Sequence, residues 1–168
     1  MARKKQAKPL TLTTRRKLAA QAVKSGNWII RFGPSPDGSQ PACYKGFAWA
    51  PLGEWTEAPD WNERAECGGG LHGQCAEAGG HRHDSGPHLL FCESDGPRVV
   101  IGDNKCKVRK ARVLLVDELP RDLTVGGGLS LNGCTALTSL GDLTVGGWLT
   151  FYCCPASVVK LVESRRVK

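Results

Sequence analysis

The strongest constraint on this chain is a repeat near its C-terminal end. Asp122-Leu-Thr-Val-Gly-Gly-Gly-Leu129 returns as Asp142-Leu-Thr-Val-Gly-Gly-Trp-Leu149, and Cys134 falls opposite Cys154 at the same offset. A fixed period in this range marks a solenoid, in which each unit buries its apolar face only by stacking on the next. The paired glycines after Val125 and Val145 permit the tight corner each coil needs. Leu129 and Leu131, then Leu149 and Phe151, supply alternate inward side chains. Two units are fewer than a solenoid needs to stand alone, so they are expected to stack on the chain before them.

That preceding chain reads as strands and turns. Gly 21 and Pro 10 in 168 residues, with β-branched and aromatic residues in short runs, disfavour a helical bundle. The expected fold class is mainly β, with α+β character at the N-terminus: a compact β domain capped by two short solenoid-like, leucine-rich-like repeats. Its divisions are a disordered basic arm (1–12), a mixed β domain with one N-terminal helix (13–118), the repeats (119–156) and a basic C-terminal cap (157–168). Thr13 or Thr14 is expected to cap a helix running to about Lys24, with Gly26 just past its end. Strands are expected at 28–32, 43–50, 88–93, 98–101, around 105–110, and at 112–116. The stretch 51–87, with Trp55, Trp61 and two glycine clusters, has little periodicity, which in a compact domain points to function or disorder. No apolar run approaches a membrane span and the basic start lacks the apolar core of a signal peptide, so a soluble, cytoplasmic protein is expected.

The net charge of +7 is unevenly spread. Arg3, Lys4, Lys5, Lys8, Arg15, Arg16, Lys17 and Lys24 fill residues 1–24 without a single acid. Residues 53–95 are mostly acidic, and Lys105–Arg112 is basic again. A basic arm binds nucleic acid, or any acidic surface, through counterion release. The plainer reading is a solvated tail that aids solubility.

Eight cysteines lie without the regular spacing of a disulfide scaffold. Cys67, His72, Cys75, His81 and His83, with His88 and Cys92 beyond them, supply every ligand type that zinc takes. Their spacings, C-x4-H-x2-C and H-x3-C, match no standard knuckle. A structural ion would hold the glycine-rich loop in order; the alternative is a glycine loop with surface histidines. No nucleophile elbow or phosphate loop is present in the sequence.

Two resemblances follow from the motifs. Leu119–Cys154 resembles leucine-rich-like repeats of bacterial and phage proteins built on Leu-Pro-x-x-Leu-Thr-Val-Gly-Gly-x-Leu-x-Leu. Gly46-Phe-Ala-Trp49, Ala58-Pro-Asp-Trp61 and Cys67-Gly-Gly-Gly-Leu-His-Gly73 resemble an uncharacterised domain of phage and bacterial proteins, covering roughly residues 28–118. The resemblance implies a phage or prophage setting and no particular reaction. His72, with Arg31 and Glu93 on flanking strands, also resembles ADP-ribosyltransferase-like sites, in which a His holds the nicotinamide ribose and a Glu orients it. The expected function is therefore an interaction protein, one version being an inhibitor of a host defence complex, that binds a host or phage protein complex through its basic arm and repeat face. The alternatives are a nucleic-acid-binding accessory protein and a nucleotide-handling enzyme built on the Gly-Leu-His-Gly loop.

Overall fold

The computed structural model describes residues 9–36, 48–77, 86–102 and 105–165. The fold is mainly β, with antiparallel pairing in its main sheet and two helices. Among the described residues no helix is long and apolar enough to cross a membrane.

Helix α1 spans Leu12–Ser25. Its cap is Thr11, whose hydroxyl accepts from the Thr14 amide at 3.2 Å, so the helix starts earlier than expected and takes in residues assigned to the arm. Three threonines compete for that role, and the hydroxyl that reaches the third helical amide wins. Leu10 also belongs to the fold, since it packs against Gly53. The far end is as expected: Gly26, at φ 72°, turns the chain out through the left-handed region.

Strand β1 (Trp28–Gly33) follows, and two short strands, β2 (Thr56–Glu57) and β3 (Leu71–Gly73), punctuate the glycine-rich stretch. Four expected strands merge into two, β4 (His88–Ile101) and β5 (Lys105–Val116), which pair antiparallel along their length. Gly96-Pro97 reads as a break, but it lies at a register shift between Asp95 and Arg98, where proline costs no ladder bond. Of the expected strand 43–50, residues 43–47 lie outside the described residues, and Ala48–Ala50 is not a strand.

The sheet runs β1-β4-β5-β2, with β3 also on β5. Leu71–Gly73 pairs with Cys106–Val108, while Gln74 bridges Ile30 with backbone bonds in both directions. One short segment thus joins the two ends of the β1-β4-β5 sheet and closes it on itself. Gly73 permits this, because a Cβ there would meet the Ile30 carbonyl and the Ile29 side chain.

Strand alternation divides the apolar residues between two cores. Ile29, Leu90, Cys92, Cys106, Val108 and Val113 face inward with Leu71, Cys75 and Trp49. Trp28, Ile30, Phe32, Leu89 and Phe91 face the other way and meet Ala19 and Ala22 of α1. A bulge at Leu114 turns both Leu114 and Leu115 to this second side.

The repeats complete that second core. Strands β6 (Thr124–Val125) and β8 (Thr144–Val145) pair in parallel, as do β7 (Leu129–Ser130) and β9 (Leu149–Thr150), each residue opposite its repeat equivalent. Leu123, Val125, Leu129, Leu131 and Cys134 of the first unit are fully buried. Their equivalents in the second unit, Leu143, Val145, Leu149, Phe151 and Cys154, are only partly buried. Leu149 therefore does not match Leu129 in burial: Leu129 is fully buried and Leu149 only partly. The C-terminal segment expected as a polar cap contains helix α2 (Ala156–Arg165), which docks through Val158 and Val162, one turn apart.

Candidate functional site

The glycine-rich loop 60–73 is organised by a residue that motif reading passed over. Lys107 lies in β5 opposite His72, and its side chain is wholly buried. The ammonium donates to Asn62 Oδ1 at 2.9 Å, to the Gly68 carbonyl at 2.9 Å and to the Glu66 carbonyl at 3.3 Å, with the Trp61 ring 5.9 Å away. A buried cation is tolerated only when its donors are met, and here the loop supplies an acceptor for each of the three N–H groups. The glycines let the backbone approach: a Cβ at Gly70 would crowd Lys107 and Trp61, and one at Gly69, at φ 61°, would strike Asn62 and the Asp60 carbonyl. Gly69→Ala is accordingly expected to destabilise the protein by about 1–3 kcal/mol. Chemical denaturation checks this, with Gly68→Ala, at φ 92° but with no atom within 4 Å of its added Cβ, as the reference that carries backbone strain without the clash.

His72 and Arg31 come together through backbone rather than through their functional groups. Arg31, buried at the closure of the sheet, donates Nη1 to the His72 carbonyl at 2.8 Å and stacks its guanidinium on Trp49 at 4.5 Å. Glu93 is elsewhere. It pairs with Trp28, three rungs from Arg31, and alternation puts it on the opposite face of the sheet. There it binds Arg112 at 2.7 Å. The set Arg31, His72 and Glu93 is thus not assembled at one point.

The zinc candidates among the described residues form no metal-holding group. Cys67 is exposed and accepts from Lys105 Nζ at 2.8 Å. Cys75 is buried beside Cys106, and the hydrogen bond between these thiols, reinforced by burial, pushes Cys106 well above the usual thiol range. His88 pairs with Asp117 at 2.7 Å, and Cys92 lies in the inner core. His81 and His83 lie outside the described residues. Among the described residues no three His, Cys, Asp or Glu side chains meet as a metal-holding group.

The charge pattern resolves into pairs. Three of the five cations in the basic block of β5 are answered from the acidic stretch: Arg109 by Glu57, Lys110 by Asp95 and Arg112 by Glu93. Lys110 and Arg112 also lie over Trp55, at 5.0 and 4.5 Å. Arg98 binds Glu77 at 2.6 Å. Alternating blocks of opposite sign were visible in the sequence, and their complementarity was the signal that could have predicted this pairing.

The N-terminal cations divide differently. Arg15 donates to the Leu114 carbonyl at the bulge and Arg16 binds Glu118, so both hold α1 to the sheet. Lys17 and Lys24 are exposed on the helix. Arg3, Lys4, Lys5 and Lys8 lie outside the described residues. No family model matches the chain, and no match is found among curated proteins or solved structures.

Proposed function

We propose that this chain is a binding protein, of the kind that phages and prophages carry, which holds an anionic macromolecular partner with its N-terminal basic segment and presents its repeats as a second contact face. The observation that carries the reading is the distribution of charge. Arg109, Lys110 and Arg112 of β5 are paired with acids, Lys107 is enclosed by the glycine-rich loop and Lys105 bonds Cys67, while residues 1–24 contain cations and no acids of their own, so the formal excess of +7 is concentrated in one segment. The phage setting rests on the motif likeness of residues 28–118. In this reading the two repeat units are turns of a short solenoid, anchored at one end on the β domain and open at the other. A host complex that handles nucleic acid is the partner class with the matching charge.

The test is binding of inorganic polyphosphate, which offers charge without bases or side chains. Full-length protein should bind with an affinity that falls steeply with salt. Removing residues 1–8, which spares Leu10 and the Thr11 cap, should lower both the affinity and the slope of log K against log salt. Equal slopes for the two chains would remove the basic arm from the binding surface.

A further inference from the structure

Two buried cysteines meet where the sheet closes. Leu71 and Gly73 of β3 pair with Val108 and Cys106 of β5, and Cys75 follows two residues on, in the same inner core. Gly73, directly opposite Cys106, leaves that rung without a second side chain, and the Cys106 thiol meets Cys75 instead. Both cysteines are wholly buried. Gln74, beside Cys75, makes the bridge to Ile30 that completes the closure. The closing segment is held by three rungs to β5 and this one bridge to β1, a slender attachment beside the long β4–β5 ladder. Short, weakly secured segments of this kind open locally while the rest of the fold stays intact.

We infer that Cys75 and Cys106 form a reversible disulfide that locks the closing segment to β5 when the protein meets a low-molecular-weight disulfide such as oxidised glutathione. In the closed fold the thiols are protected. Their mutual hydrogen bond and then burial hold Cys106 well above the usual thiol range, and only a thiolate attacks. Opening of residues 71–75 removes both causes at once. The Cys75 thiolate then attacks one sulfur of the oxidant, whose S–S bond breaks. One small thiol leaves, taking up a proton in place of the one Cys75 gave up, and a mixed disulfide remains on Cys75. As the segment closes, the Cys106 thiolate attacks the Cys75 sulfur, the protein disulfide forms and the second small thiol leaves. The protein loses two electrons and two protons, and the oxidant gains them. A disulfide brings the sulfurs to about 2 Å, closer than a thiol hydrogen bond, and it is the short segment 71–75 that moves to meet the long strand.

The experiment treats the full-length chain in native buffer with oxidised glutathione, unfolds it with an alkylating agent present, and maps the cysteines by mass spectrometry. The peptides holding Cys75 and Cys106 should be joined to each other and should carry neither glutathione nor the alkyl label. The oxidised chain should melt roughly 4–16 °C above the reduced one, and dithiothreitol should restore the lower midpoint. Cys106→Ala should stop at the mixed disulfide on Cys75 and show no such rise. Alkylation of both Cys75 and Cys106 after exposure to the oxidant would overturn the inference, as would a crosslink from either of them to another cysteine. A Cys75–Cys106 bond that left the melting temperature unchanged, or lowered it, would overturn the lock. These readings come from the wild-type chain, so they decide the matter even if Cys106→Ala does not fold.

Discussion

Lys107→Ala is expected to cost about 3 kcal/mol or more and to release the 60–70 loop. The variant removes the donor to Asn62 Oδ1 and to the Glu66 and Gly68 carbonyls, and hydrogen bonds to a charged group contribute about 1.5–3 kcal/mol each before packing is counted. It also empties the space that the glycine backbone wraps. Urea unfolding should show the loss in stability. Limited proteolysis should show cleavage between Trp61 and Gly70 under conditions where the wild type is intact. Lys107→Met keeps the aliphatic stem but not the charge, so it should fall between the two. A Lys107→Ala chain as stable as wild type would mean that the loop is ordered by something other than the ammonium.

The repeats give the second large effect, and it is asymmetric. Leu129→Ala opens a cavity in a site that is 0% exposed, and such changes cost about 2–5 kcal/mol. Leu149→Ala removes the same atoms from a partly buried site and should cost less than half as much. The fragment 119–168 should show no cooperative melting, because Leu123, Leu129 and Leu137 share one core with Trp28, Phe91 and Leu114 of the sheet. Equal losses from the two leucine variants would mean that the second unit is covered as fully as the first.

The parts of the fold that could be read from sequence are those encoded by local periodicity. The helix and its Gly26 terminus, β1, and the equivalence of the two repeats all follow from spacing within a few turns of chain. What escaped reading depends on contacts distant in sequence. The joining of four short strands into β4 and β5 depends on a bulge that absorbs Gly96-Pro97, and a bulge is visible only once the partner strand is in place. Closure of the sheet through Gln74 and Ile30 has no local signature. At the site, attention to His72 and the cysteines followed residue type, whereas Lys107 carries the loop and looks in sequence like one more cation in a basic block. The acid–base pairing across β5 was open to reading, because a block of cations must be answered somewhere if it lies in a sheet. The C-terminal segment was expected as a polar cap, and the one-turn spacing of Val158 and Val162 was the unused signal for the docked helix α2.

The most direct measurement of the central claim, that the uncompensated charge lies on the N-terminal segment and not on β5, compares two double variants by salt titration. Lys17→Glu with Lys24→Glu changes exposed cations on α1. Arg109→Gln with Lys110→Gln removes cations already paired with Glu57 and Asp95. With polyphosphate as ligand, the first pair should weaken binding and flatten the slope of log K against log salt, and the second should leave the slope near the wild-type value. A larger effect from Arg109 and Lys110 would place the anionic partner on the sheet and contradict the account.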